Sequence, residues 1–312
     1  LILTITLNPS VDISYHLPAE FKLDTVNRVN EVSKTAGGKG LNVTRVLKQL
    51  GEDVAATGFL GGNLGEFIHE EIEKMNVLDL YVPIAGQTRN CIAILHEEQQ
   101  TEILESGPEI SPEEAVLFLD KMEEYIHQAD YITISGSLPK GLEASYYNDV
   151  LTITGKTKTP VLLDTKGELL NRVLENDIKP FLIKPNQSEL ADLIGRELTT
   201  EVAVAEALQR DELRDIPWVV VTMGADGAVV KHMNKLYYVQ IPKVKVVNPV
   251  GSGDSVIAGF ASGLARNLKG EDLIKYGLTM GVLNAMQEKT GHIDSTKIDG
   301  CMKEIKVEEM NI

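Results

Sequence analysis

Cysteine is scarce in this sequence of 312 residues: Cys91 and Cys301 stand far apart, with no CxxC pair and no cysteine framework. That excludes a disulfide-stapled fold and favours a reducing compartment. Basic residues are also short, 30 Lys and Arg against 46 Asp and Glu, for a formal charge of −16. The acidic surplus is spread along the chain, which argues against a broad electropositive surface for nucleic acid or anionic lipid. An anionic ligand therefore needs basic groups gathered at one place. No apolar run reaches the roughly 18–20 residues of a membrane span, and no basic-then-apolar leader opens the sequence. A cytoplasmic location, with neither nucleic acid nor membrane as partner, is the expectation. There is no HExxH, no His spacing that suits a metal, no GxSxG elbow and no HRD/DFG pair, so zincin, serine-hydrolase and protein-kinase chemistries drop out. What remains, 43% hydrophobic and 24% charged, is an ordinary globular composition, long enough for one large α/β domain or a domain with a small appendage.

Leu1 to Leu7 alternates apolar residues with Thr, as a strand does, and Asn8-Pro9-Ser10 ends it. Residues 11–34 are polar and lack a good helix. After the glycine cluster Gly37–Gly40, the residues Val43, Val46, Leu47 and Leu50 recur at helical spacing with Gly51 as the stop, and a second helix runs from Leu64 to Met75. Residues 81–104 look strand-like. Ser111-Pro112-Glu113-Glu114 reads as an N-cap, a proline at the first helical position and a capping-box glutamate. Apolar runs at Tyr131–Ile134, Val161–Leu163, Phe181–Ile183 and Val219–Thr222 mostly alternate with helical stretches, the pattern of βαβ units and a parallel sheet covered on both faces. Ala228–Lys231 and Leu236–Ile241 predict a hairpin, and the last third is helical. Two polar segments, 11–34 and 81–105, interrupt the alternation and predict a small excursion, either a lid or an extra edge of the main sheet.

The sharpest segment is VVNPVGSGDSVIAGF, Val246 to Phe260. Gly251-Ser252-Gly253 lets backbone N–H groups converge at a helix N-terminus, which makes an anion site. Asp254 stands beside it, and a carboxylate there is repelled by an anion unless it must take a proton from a hydroxyl attacking a phosphoryl group. Its competing reading is an ordinary helix N-cap. In AGGKGLNVTRVLKQLG, Gly37, Gly38 and Gly40 allow close backbone approach, Lys39 offers a cation and Asn42 a neutral amide. The spacing is not that of a P-loop. In FLIKPNQSEL, Lys184 ends a buried strand, while Asn186 and Glu189 fit a capping box that suffices to explain both. TMGADGA, Thr222 to Ala228, reads first as a hairpin turn.

The GGKGLN and NPVGSGD segments, with NPSVD, GSLP at Gly136–Pro139, KPNQSE and TMGADG in order, resemble the two signatures and supporting motifs of the PfkB carbohydrate kinase family, over essentially the whole chain. LNPSVDISYHL, TVNRVNEV, TRNCIAIL and ILESGPEIS resemble its phosphorylated-ketose branch; Asn248 stands where the second signature often has Asp. The resemblance implies a single kinase domain over residues 1–312. Its fold is the three-layer αβα ribokinase-like one, with a mostly parallel central sheet and a small β-sheet lid built from 11–34 and 81–105. Pairing of lids implies a homodimer. Asp12, Gly37, Gly38, Lys39, Asn42 and Ser137 are then expected on the sugar, with Arg89 and Arg28 on its phosphate. Lys184, Asn186, Thr222, Gly224 and Gly227 fall on the ATP side, Asn284 near the adenine, and Glu189 near Mg²⁺ through water; a monovalent cation such as K⁺ is a further expectation. Asp254 becomes the base, with Gly251, Ser252 and Gly253 as the cradle. The reaction implied is transfer from ATP to the C1 hydroxyl of D-tagatose 6-phosphate, with a 1-phosphofructokinase or 6-phosphofructokinase activity as the alternative within the family. A sugar-phosphate-binding regulator without catalysis is the alternative of a different class.

Overall fold

The computed structural model describes residues 1–97 and 99–312; Glu98, inside the 81–105 segment, lies outside the described residues. The chain opens with β1 (Ile2–Thr6) and leaves it through β2 (Ser10–His16) and β3 (Glu31–Gly37). α1 (Lys39–Gln49) leads back to β4 (Val54–Leu60), and α2 (Gly62–Lys74) to the short β5 (Leu78–Asp79) and β6 (Val82–Pro83). β7 (Arg89–His96) and β8 (Gln99–Leu104) follow, then α3 (Pro112–Tyr125), β9 (Tyr131–Ser135), α4 (Tyr146–Thr157) and β10 (Val161–Asp164). Next come α5 (Glu168–Glu175), β11 (Leu182–Ile183), α6 (Gln187–Ile194), α7 (Glu201–Ala207) and β12 (Trp218–Thr222). The predicted hairpin is β13 (Ala228–His232) with β14 (Lys235–Gln240), and α8 (Ser252–Ala265), α9 (Gly270–Ala285), α10 (Ile298–Glu304) and β15 (Lys306–Met310) complete the chain. The Ser111 capping box forms as read, both bonds present.

Among the described residues eleven strands make the central sheet, in the order β15-β14-β13-β12-β11-β10-β9-β1-β4-β5 with β6 beside β4. Pairings from β12 to β5 and β6 are parallel, and β13 to β15 add an antiparallel edge. Strand alternation sorts the side chains into two cores. Leu3, Ile5, Val161, Leu163, Val219 and Val221 pack with Phe118 and Met122 of α3 and Tyr147 and Leu151 of α4. Ile2, Leu162, Trp218 and Val220 pack on the other face with Val43 and Leu47 of α1, Ile68 of α2, Phe260 of α8 and Ile274 of α9. Burial on both faces is why these strands read as unbroken apolar runs, and the result is the three-layer αβα arrangement expected.

β3-β2-β7-β8 form a separate four-stranded sheet, in which β2 and β7 pair in parallel. The excursion is therefore a second sheet and not an extra edge of the first. Val82 and Pro83, inside the 81–105 segment, instead pair with Phe59 and Leu60 of β4. In the main sheet β1 lies between β4 and β9. Its connection to β4 carries α1 on one face, and the connection from β4 to β9 carries α3 on the other. Such a reversal opens a crevice at the carboxyl ends of the strands, and Asn8, Gly136, Asp164, Lys184 and Thr222 all lie at or just past those ends.

Candidate active site

The late glycine turn starts α8. Gly251 is its N-cap with φ 80° and ψ 0°, a left-handed conformation that favours glycine, and a Cβ there would come 2.6 Å from Thr290 Cγ2. Asp254 consequently stands inside the first turn rather than capping it. Its Oδ2 accepts from Asn42 Nδ2 at 2.9 Å, across 212 residues of sequence, which removes the N-cap reading. Ser252 departs from the expected cradle, since its N–H donates to Pro249 O at 3.2 Å. The N–H groups of Gly251, Gly253 and Asp254 have no acceptor among the described residues, so three amides and the helix dipole remain for an anion. Lys184 Nζ lies 3.0 Å from where a Gly253 Cβ would stand, which puts a cation against the same turn.

Asp164, at the end of β10, organises the charges. Its Oδ2 is 3.1 Å from Lys39 Nζ and its Oδ1 3.5 Å from Lys184 Nζ. Burial pushes its carboxyl up, but Lys184 and Lys39 outweigh burial and hold it below the ordinary range. Asp164 in turn raises the Lys39 ammonium, against burial. Asp254 goes the other way: burial raises it, Lys39 opposes, and the nearby Asp164 charge adds to the rise. Asp164 was not among the expected residues. Its signal was a carboxylate closing the apolar run Val161–Leu163, at the strand end where ligands of α/β sheets bind.

On the side of the second sheet, Asp12 of β2 accepts from Ser10 Oγ at 2.6 Å. Burial raises its carboxyl against Ser10, Arg45 and Arg89. That carboxylate lies over Gly37, where an added Cβ would fall 2.0 to 2.2 Å from its atoms. Gly37→Ala should therefore displace Asp12 while leaving the apolar cores untouched. If Asp12 holds sugar hydroxyls, the KM for the sugar substrate rises roughly tenfold or more, the value of a charged hydrogen bond, with kcat and the melting midpoint near wild type; steady-state kinetics and thermal unfolding check it. Gly38 caps α1 at its N-terminus, so Lys39 and Asn42 occupy the first turn. Ser137 Oγ accepts from Asn8 Nδ2 at 3.3 Å. Arg89 spans the junction of the two sheets, with Nη2 donating to Asn8 O at 2.9 Å and Nη1 to Glu105 O at 2.8 Å. Arg28 lies exposed between β2 and β3 and makes no hydrogen bond or ion pair among the described residues, so the structure does not join it to the cluster.

On the opposite side, Asn186 and Glu189 form the capping box: Asn186 Oδ1 accepts from Glu189 N at 2.8 Å, and Glu189 Oε2 from Asn186 N at 2.9 Å. Thr222 N donates to Pro185 O, which sets Thr222 beside Asn186. Gly224 and Gly227 bracket the turn into β13. Asn284 differs from the expectation of an adenine contact. It is fully buried; Nδ2 donates to Val250 O at 2.9 Å and Ser252 Oγ at 3.2 Å, and Oδ1 accepts from Gly291 N at 2.8 Å. Both N–H groups of its amide are engaged in shaping the glycine turn, and its oxygen holds Gly291.

Among the described residues no helix is long and apolar enough to cross a membrane, and no group of three or more His, Cys, Asp or Glu is placed to hold a metal ion. Comparison with known proteins fits this crevice. Residues 5–297 match the model of the pfkB family carbohydrate kinases. The chain is 50% identical to the tagatose-6-phosphate kinase of Staphylococcus epidermidis, over 99% of this chain and 100% of that protein. Two crystal structures of Escherichia coli phosphofructokinase-2 are similar, one in complex with potassium and one with fructose-6-phosphate. Each is 27% identical and covers 97% of this chain and 98% of the other, with TM-scores of 0.87 and 0.85. With two signatures folded into one crevice and a family match over nearly its full length, the chain belongs to the pfkB family of carbohydrate kinases.

Proposed function

We propose that this protein transfers the γ-phosphoryl group of ATP to the C1 hydroxyl of D-tagatose 6-phosphate, giving the 1,6-bisphosphate. The observation that carries the chemistry is the Asp254 carboxylate, fixed by Asn42 beside three amides unpaired among the described residues and near Lys39 and Lys184. Asp254 takes the hydroxyl proton as that oxygen attacks phosphorus in line, and ADP leaves. The amides of Gly251, Gly253 and Asp254 and the ammonium of Lys184 stabilise charge on the transferred group. Asp12, Asn42, Lys39 and Ser137 orient the sugar, and Gly37 and Gly38 leave room for the Asp12 carboxylate and the start of α1 beside it. The 50% identity to a tagatose-6-phosphate kinase supports the choice of ketose. The deciding experiment is kcat/KM across D-tagatose 6-phosphate, fructose 6-phosphate and fructose 1-phosphate. A preference for either fructose ester overturns the ketose, and no ADP release with any of them overturns the kinase.

The donor set fits a hard divalent cation, proposed as Mg²⁺. Glu189 keeps Oε1 unengaged among the described residues, and a cation shared with phosphates needs only one or two carboxylates. When bound, the ion supplies charge neutralisation between the phosphates. Lys184, Asn186, Thr222, Gly224 and Gly227 would hold the nucleotide, with Asn284 supporting the turn from behind. A monovalent cation such as K⁺ is proposed by likeness to the potassium-bound Escherichia coli relative. The second sheet exposes Val32, Ile103 and Leu104, and an open edge strand calls for cover; a homodimer through this sheet, in the cytoplasm, completes the reading.

Two results follow from the charges. A base works only deprotonated, so kcat/KM should fall on the acid side with a one-proton slope, at a midpoint above the ordinary Asp value of about 3.9 because burial raises Asp254. Lys39→Met removes a charge that opposes this rise, so the limb should move to higher pH in pH–rate profiles. Arg89 uses two of its five N–H donors on backbone carbonyls, which leaves donors for a sugar phosphate. Arg89→Ala should raise KM for the ketose phosphate on the order of 10–100-fold and affect an unphosphorylated ketose far less. Equal effects on both would make Arg89 a tether alone.

A further inference from the structure

We infer that Arg45 is a positioning residue, which locks the Asn42 amide so that its Nδ2 faces Asp254 and ties that amide to the loop behind the glycine turn. The inference rests on the reading of Asp254 as the base. Arg45 follows Asn42 by three residues in α1, so the two side chains share a face. Its Nη1 donates to Asn42 Oδ1 at 3.0 Å and to Thr290 O at 3.3 Å, and its Nη2 donates to Ala36 O.

A guanidinium has donors only. Whatever end of the amide meets it must be the oxygen, so the NH₂ end is forced toward the Asp254 carboxylate, where it donates at 2.9 Å. A flipped amide would set NH₂ against guanidinium and oxygen against carboxylate, losing both bonds. The same face of α1 grips the 290–293 segment. Gln49 Nε2 donates to Gly291 O at 2.9 Å, and Ile293 N donates to Gln49 Oε1 at 2.9 Å. Gly291 has φ 68°, and a Cβ on it would come 2.8 Å from Arg45 Nη1. From the far side Asn284 accepts from Gly291 N and donates to Val250 O and Ser252 Oγ of the phosphate turn. Base and cradle are therefore held in one ring of hydrogen bonds whose charged member on the α1 side, among the described residues, is Arg45.

Lys39, Lys184 and Asp164 also face Asp254. Asp12 of β2, Glu71 of α2 and Asp254 of α8 act on Arg45, and His292 lies beside it. A readout confined to Arg45 must hold these constant, which a double-mutant cycle does. The cycle uses Arg45→Met, Asn42→Ala and the pair, with ATP and D-tagatose 6-phosphate or whichever ketose phosphate the wild type turns over. Arg45→Met should lower kcat on the order of 10²-fold, the cost of a misplaced reacting group, leave KM for ATP near wild type, and move the acid limb of kcat/KM to higher pH, because the charged form of Asp254 loses a donor. In the Asn42→Ala background the same change should cost less than about twofold, the margin within which independent sites add. Arg45→Lys, which keeps one donor for Asn42 Oδ1, should recover part of kcat; if Arg45→Met does not fold, Arg45→Lys takes its place in the cycle. Equal losses in both backgrounds, or a loss that tracks only the melting midpoint with the acid limb unmoved, overturn the inference. A wild type that releases no ADP with any ketose phosphate overturns the kinase reading instead, and this inference with it.

Discussion

Asp254→Asn is expected to lower kcat on the order of 10²–10⁴-fold, the usual contribution of a placed general base, with ATP and ketose phosphate still bound. The substitution keeps the shape of the side chain. An amide oxygen at the Oδ2 position can still accept from Asn42 Nδ2, so the first turn of α8 and its three amides stay in place. What disappears is the ability to carry a proton away. Because the carboxylate is buried and near Asp164, its loss also removes a repulsion toward incoming phosphates, so ATP binding should hold or tighten. Calorimetric titration of both ligands beside steady-state kinetics separates these effects. Near-normal turnover, or binding lost in step with turnover, would refute the base. A catalytically silent regulator predicts no turnover in the wild type either, so the same pair of proteins discriminates the two classes.

Much of this site was legible because its local grammar is strong. The Ser111 and Asn186 capping boxes are contained within four residues each and form as read. The alternation of apolar runs and helices fixed the parallel sheet, since strands buried on both faces have no polar side to show. The parts that were not legible are long-range. Val82–Pro83 is two residues of β-pairing, too short to carry a period, and joined β4 instead of the second sheet. Asp164 meets Lys39 across 125 residues, and nothing local marks it except its place at a strand end. The motifs point Ser252 and Asn284 at ligands, yet turn geometry claims the Ser252 amide and the glycine turn engages the buried Asn284 amide. Motifs locate a turn well, but which of its groups stay free is decided by neighbours that come from elsewhere in the chain.

Asp164→Ala is expected to destabilise the fold by about 3–5 kcal/mol, the cost of leaving a buried charge without its partner. The cost should come from Lys184 and not from Lys39. Lys184 has 4% of its side chain exposed and cannot turn to water, whereas Lys39 has 42% and can. Urea unfolding of Asp164→Ala and of Asp164→Ala with Lys184→Met tests this: the second protein should regain most of the stability, since an apolar side chain replaces a stranded ammonium, but none of the turnover, since the cation facing the cradle is gone. If the single variant unfolds like wild type, the buried Asp164–Lys184 pair contributes no stability and Asp164 has another role. The sign with pH is fixed by the lowered Asp164 carboxyl. Its stabilisation is full above the unfolded-state value of about 3.9 and is lost as pH falls through the lower folded value, so variant and wild type should converge only in strong acid. Asp164 also raises Asp254. Its removal should shift the acid limb of whatever turnover remains to lower pH, opposite to the shift from Lys39→Met. One carboxyl moved in opposite directions by two neighbours of opposite charge is a pattern that general unfolding does not produce.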